Sequence, residues 1–254
     1  MLNGFQNVAV VLFTVGVALL LVLGLNRVWP PERRRAHNDL IGWQLGILGT
    51  TYAVMLGFML YTVWTEYAAA DLNADLEANA LVNLYHLAEG LPSPQRAKLQ
   101  DLARSYATAA IHRDWPQMSE GTYPEESQVV NSAMWKTLMS IKAASATELT
   151  VEDPAASELS SLTQHRRTRL LQSASRLPGV LWSVLIIGGT VTVASATMFG
   201  AVSLRLHAIQ VLAFALLISL VLVAIADIDR PFQGSVHISS YAFERAQQSM
   251  SASF

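Results

Sequence analysis

Six small residues at helical spacing, Gly42, Gly46, Gly49, Thr50, Ala53 and Gly57, share one face of a long apolar stretch. In a membrane such a face has two uses. It lets another helix backbone approach closely. Alternatively it lines a path, where exposed carbonyl and hydroxyl dipoles replace part of an ion's hydration and Phe58 or Tyr61 forms a constriction. Ser183, Thr190 and Thr197 repeat at seven-residue intervals on a second apolar stretch. Hydroxyls in such positions either join a polar lining or bond the preceding turn of their own helix. Asp227 and Asp229 close a third stretch beside Arg230. Inside the bilayer core they would mark a functional site, and at its edge they would pair or fix the Pro231 turn. His86 and Glu89 fall three apart, and His112 lies two residues before Asp114. Two ligands without a third make a surface pair rather than a metal site. No phosphate loop, H-E-x-x-H or nucleophile-elbow serine is present, so the sequence points to a non-enzyme without catalytic residues, metal or cofactor.

The elements that carry these residues follow from hydropathy. The 254 residues are 52% hydrophobic and 14% charged, with a net charge of −2 and no cysteine. That composition excludes a disordered chain, a nucleic-acid binder, a disulfide framework and thiol chemistry. Four runs, Phe5–Leu25, Ile41–Trp64, Leu177–Val202 and Ala208–Ala226, are nearly free of charge. Each is long enough for a helix to cross a hydrocarbon core about 30 Å thick. The first lacks the preceding positive charge and small-residue cleavage site of a signal peptide and reads as a retained anchor. The expected fold is all-α: a polytopic membrane protein with four transmembrane helices and a helical extramembrane insert between the second and third. Its parts are a first helix pair over 1–64, the insert over 65–176, a second pair over 177–228, and a tail over 229–254.

Within the insert, the second run continues as helix toward Glu89, with Ala69, Leu72, Leu76, Ala80, Leu84 and Leu87 as its expected buried stripe. Gly90 suits a C-terminal cap, and Ser93-Pro94 opens a helix through Leu99, Leu102, Tyr106 and Ala110. Thr122 and Glu125 have the spacing of a capping box before Val130, Met134, Leu138 and Ile141. Asp153-Pro154 is the expected start of the last insert helix, and Pro178 either begins the third span or kinks a continuous helix. Asp71, Asp75, Asn79 and Asn83 form a stripe at four-residue spacing, at a height comparable to Arg166, Arg167 and Arg169. A charge network between these groups is the expectation, with two solvated faces as the alternative.

Three segments together resemble a family. They are Glu77-Ala-Asn79 through Leu84-Tyr85-His-Leu87-Ala88 with Leu91-Pro92 and Arg96, then Arg166-Arg167-Thr-Arg169-Leu170 with Leu177-Pro178 and Trp182, and finally Asp229-Arg230-Pro231-Phe232-Gln-Gly234 with His237-Ile238-Ser239 and Phe243. The chain resembles the bestrophin-like family of bacterial membrane proteins, defined by a domain of unknown function. After Ser239 the family often has proline, where this chain has Ser240. The resemblance implies a homo-oligomer in the lipid bilayer and, by analogy with bestrophins, an anion channel with a helical vestibule.

Two functions follow. The first is an oligomeric channel for an inorganic ion, with the second span lining the path. The second is a non-conducting sensor or scaffold that binds a partner through the insert. The insert carries 10 basic and 14 acidic residues, which does not by itself favour anions. Arg27, Arg33, Arg34 and Arg35 crowd the first loop behind an uncharged N-terminus, which favours that loop in the cytoplasm. Both termini and the insert then lie outside the cytoplasm, across a bacterial inner (plasma) membrane. Arg166, Arg167, Arg169, Arg176, Arg230 and Arg245 pull the other way.

Overall fold

The computed structural model describes residues 4–141 and 146–252, and among them it contains helices and no strand. Two compact units emerge, one of Met1–Thr65 with Arg176–Asp229, the other of Glu66–Ser175 with Arg230–Phe254. The segment after Asp229, which the sequence sets apart as a tail, thus belongs to the second unit.

The first unit holds four helices long and apolar enough to cross a membrane. Helix α1 (Gly4–Val28) has one charge, Arg27, in its last turn, where a cation meets the negative end of the helix dipole. Helix α2 (Pro31–Arg35) is a single short turn with proline at its start and three arginines at its end. Helix α3 (Asn38–Leu87) runs for 50 residues, about 75 Å, and gives its first half to this unit and its second to the other. The sequence explains that length, since neither proline nor glycine interrupts it between Gly57 and Leu87.

In the second unit a short 3₁₀ turn, Ala88–Gly90, ends α3. Helix α4 (Gln95–Ala109) runs through a π-helical turn, Ala110–Asp114, into α5 (Trp115–Ser119). Helices α6 (Glu126–Leu138), α7 (Ala146–Ala174) and α10 (Tyr241–Ala252) complete it. Helices α8 (Gly179–Thr197) and α9 (Leu204–Ile228) return to the first unit. Pro178 is the residue that flanks α8 at its start, so the third span begins there and is not a kinked continuation.

Three local expectations are corrected. Helix α6 starts at Glu126 without a side-chain cap, so the Thr122–Glu125 capping box does not form. Helix α4 likewise starts after Pro94 without a capping side chain. Helix α7 begins at Ala146 and carries Pro154 in its interior.

The first unit packs α1, α8 and α9 against one another, with Tyr52, Leu56 and Val63 of α3 in the same core. The second buries Leu99, Tyr106, Met134, Leu138, Leu159 and Leu162 in one cluster with α3. Its α3 stripe differs from the expected one. Ala80 and Leu84 are buried as expected, but the other buried positions include Ala70, Ala74, Glu77 and Leu81, at most 1% exposed, while Leu72 and Leu76 point outward at 59% and 40%. The helix is turned by about one residue, roughly 100°. A glutamate has taken a core position.

Candidate functional site

Glu77 is in the core because Arg169 of α7 meets it there. The Arg169 Nε donates to Glu77 Oε2 at 2.7 Å and Nη2 donates to Oε1 at 2.9 Å, a two-pronged contact with both side chains fully buried. Nη2 also reaches Asp114 Oδ2 at 3.0 Å. Asp114 sits at the end of the π-helical turn, whose wider coil shifts the register of the residues that follow. Its Oδ2 accepts from Ser127 Oγ at 2.6 Å, and Ser127 Oγ in turn accepts from Arg166 Nε at 2.6 Å. Arg166 donates further to Gln128 Oε1 and the Pro124 carbonyl. The Tyr106 hydroxyl donates to Glu77 Oε1 at 2.7 Å.

Aromatic rings close the cluster. The Arg169 guanidinium lies 4.8 Å from the Trp115 ring centre and 6.0 Å from that of Phe243. Both distances suit attraction between a cation and a ring face. Phe232 meets Trp115 edge-on, and the Trp115 indole N–H donates to the Ile238 carbonyl at 3.0 Å. Gly234 adopts φ +86, a left-handed turn open to glycine, within the loop where Ile238 N–H bonds the Pro231 carbonyl. Gln233 donates to the Met118 carbonyl. Residues from all three resembling segments (Glu77, Arg166 and Arg169, Phe232 and Phe243) therefore meet around one buried ion cluster.

That cluster holds charge in place. Burial opposes the charge on Arg169, but Glu77, through its charge and hydrogen bonds, and Asp114 outweigh it and hold the guanidinium above its ordinary value. Burial first, then the Glu77 charge, raises Tyr106 well above the ordinary tyrosine value. Arg169 and Tyr106 thus both hold their protons more firmly than in water.

The expected charge network is thus rearranged. Arg169 meets Glu77 and Asp114, while Asp71, Asp75, Asn79 and Asn83 lie on an exposed face of α3. Arg166 binds neutral oxygens, and Arg167 is exposed. Glu77 is hard to pick from sequence, because a lone carboxylate on an apolar stripe looks misplaced until its arginine is found 92 residues away. The histidine pairs do not assemble: His86, Glu89 and His112 are exposed and Asp114 is buried. Among the described residues no group of three His, Cys, Asp or Glu side chains could hold a metal ion.

In the first unit, α3 presents two distinct outer faces. Gly42, Gly46, Gly49 and Thr50 border a groove shared with α9 and the loop before it. A side chain added at Gly46, Gly49 or Gly57 would meet nothing of this chain within 4 Å, whereas Gly42 has the Phe199 ring at 3.5 Å. Farther round, Ile47, Thr51, Val54, Phe58, Tyr61 and Thr65 are all exposed at alternating steps of four and three. Phe58 and Tyr61 belong to this seam; the glycines do not. Ala53 and Gly57 are exposed outside the groove.

Close approach occurs elsewhere, at glycines outside the expected small-residue face, from a side chain at Gly188 and Gly189 and from backbone at Gly200. Tyr52 lies across Gly188 and Gly189 of α8, and its hydroxyl donates to the Leu185 carbonyl at 2.8 Å. An added carbon at Gly200 would fall 2.5 Å from the Arg35 nitrogen and the Pro31 oxygen. Asn38 bonds Gly200 through both its amide groups, and buried Arg34 donates to the Thr197 carbonyl at 2.8 Å and to Asn26. Ser183, Thr190 and Thr197 each bond a carbonyl of the preceding turn of α8. Asp227 accepts from Asn7 at 2.9 and 3.0 Å, and Asp229 accepts from the Leu177 N–H at 2.9 Å.

Four membrane-length helices and a helical second unit organised by a buried arginine define an all-α, multi-pass membrane protein. The bestrophin-like domain matches residues 12–243, and the chain belongs to that family. A bacterial bestrophin homologue from Klebsiella pneumoniae, carrying the mutation L177T, shares the fold with a TM-score of 0.73. The two are 10% identical, over 95% of this chain and 99% of the homologue. A crystal structure described as a membrane protein P143A gives a TM-score of 0.71 at 9% identity, over 94% and 97% of the respective chains. No curated protein sequence matches the chain significantly.

Proposed function

We propose that the chain is one subunit of a homo-oligomeric ion channel in the bacterial inner membrane, with α3 lining the path. The observation that carries this reading is the exposed seam Ile47, Thr51, Val54, Phe58, Tyr61 and Thr65. Alternating steps of four and three keep one line of side chains facing a common axis when like helices coil together. Threonine hydroxyls interrupt the apolar line, and Phe58 and Tyr61 make its narrowest ring. The buried cluster of the second unit is structural in this reading, which is non-catalytic. The family resemblance favours an inorganic anion as the conducted species. The arginines of the first loop favour termini and second unit outside the cytoplasm.

Purified protein in planar bilayers tests this directly. Wild type should carry current, and Phe58→Ala with Tyr61→Ala should change unitary conductance or ion selectivity several-fold. A silent wild type that still forms oligomers would instead support the scaffold reading, in which the helical insert binds a partner. Reporters fused at the C-terminus and in the Gly121 loop should both be non-cytoplasmic.

A further inference from the structure

We propose that the groove between α3 and α9 binds one anionic phospholipid, with its headgroup at the α2 end and an acyl chain along the glycine face. The inference concerns the first unit alone and holds whether or not the protein conducts. The groove has a volume of about 700 Å³, within the range of roughly 300–1,000 Å³ common to small-molecule sites. From Asn38 to Thr50 on α3 it runs about 18 Å. A hydrocarbon core about 30 Å thick gives each leaflet about half that depth, so the groove is one leaflet long.

Its chemistry is graded along that length. Asn38, the Gly200–Ala201 backbone and His207 lie toward the α2 end, Gln210 lies deeper, and Leu45, Val211 and Phe214 line the apolar remainder. Gln210 lies six residues into α9, about 9 Å deep, is exposed, and has no side-chain hydrogen bond among the described residues. A primary amide at that depth facing hydrocarbon alone is costly, and a glycerol ester oxygen would accept from it.

Charge selects the headgroup. Arg27, Arg33, Arg35 and Arg205 are exposed at this end of the unit, against Glu32 and Asp39. Arg35 donates to the Ala201 carbonyl on the groove rim at 3.4 Å, which holds its guanidinium at the mouth. Clustered arginines beside a membrane span attract anionic headgroups over zwitterionic ones. The chain leaves the slot free, since an added carbon at Gly46 or Gly49 meets nothing within 4 Å.

Lipid titration followed by native mass spectrometry, in parallel with thermal unfolding in detergent, tests the site. Phosphatidylglycerol should bind at one molecule per chain, at least tenfold tighter than phosphatidylcholine, and raise the unfolding midpoint. Gly46→Phe should weaken phosphatidylglycerol at least tenfold while the lipid-free midpoint stays put. Arg33→Gln with Arg35→Gln should erase the preference between the two lipids, and Gln210→Leu supplies an independent loss if Gly46→Phe fails to fold. Equal binding of both lipids by wild type, or undiminished phosphatidylglycerol binding by folded Gly46→Phe or by Gln210→Leu, overturns the proposal. So does a Gly46→Phe protein that dissociates into monomers with its lipid still bound, which would give the groove to a second copy.

Discussion

Helix α3 passes through both compact units, and its buried face is made differently in each. In the first unit Tyr52, Leu56 and Val63 meet apolar helices, and Tyr52 fits closely because Gly188 and Gly189 carry no side chain, as Gly200 carries none against the backbone of α2. In the second unit Ala70, Ala74, Leu81 and Leu84 surround Glu77, and fit comes from pairing that charge with Arg169. The contrast follows the solvent around each unit. Lipid tails are as apolar as leucine, so burying leucine between spans brings little, and tight backbone contact has to supply the attraction. In water, apolar burial drives assembly without discrimination, and a buried bidentate pair admits one helix register because any other leaves a charge unpaired.

The largest expected effect is on the charged core. Arg169→Ala should cost about 3–5 kcal/mol in denaturant unfolding, because Glu77 and Asp114 are left buried without their cation. Glu77→Leu with Arg169→Met should recover only part of that loss, because Asp114 stays buried without its cation, and adding Asp114→Asn should recover more. A single-mutant loss below about 1 kcal/mol would remove the distinction between the units. Next in size is Gly200→Ala, expected to cost about 1–3 kcal/mol because backbone atoms already occupy the space at 2.5 Å. Gly46→Ala has room and should instead be neutral or stabilise by up to about 1 kcal/mol, as alanine does in a helix. Equal effects from the two alanines would show that close approach does not hold the first unit together.

The smallest effect appears in alkali. Tyr106 loses its proton less readily folded than unfolded, so its contribution is complete below the unfolded value of about 10 and falls as pH rises past it. Wild type should therefore lose more stability between pH 9 and pH 11 than Tyr106→Phe. Parallel losses would mean that the buried cluster does not feel this hydroxyl's charge.

How much of this the sequence carried depends on the kind of signal. The four spans were legible because about twenty uncharged residues in a row suit a bilayer crossing and little else. The inward positions of Leu99, Tyr106, Met134 and Leu138 were legible from period alone. The face of α3 was legible only at Ala80 and Leu84, since Leu72 and Leu76 outscore Ala74 and Glu77 on any hydropathy scale, and the partner that reverses the ranking is remote in sequence. Helix starts were less legible because a capping motif alone does not fix them: Pro154 is tolerated inside α7, and Glu125 flanks α6 without capping it. The contact glycines were invisible because their role depends on what crosses them. Gly46 and Gly200 look alike in sequence, yet one faces open space and the other a backbone.

The exposed seam on α3 repeats every 3.5 residues, while a straight α-helix turns once every 3.6. From Ile47 to Thr65 that mismatch accumulates to about 50° of drift. Helices that keep contact along the whole line must therefore wind around one another as a left-handed superhelix. In the proposed channel twist and bore would then be linked, so that tightening or relaxing the winding at one end would turn Phe58 and Tyr61 about the axis without bending any helix.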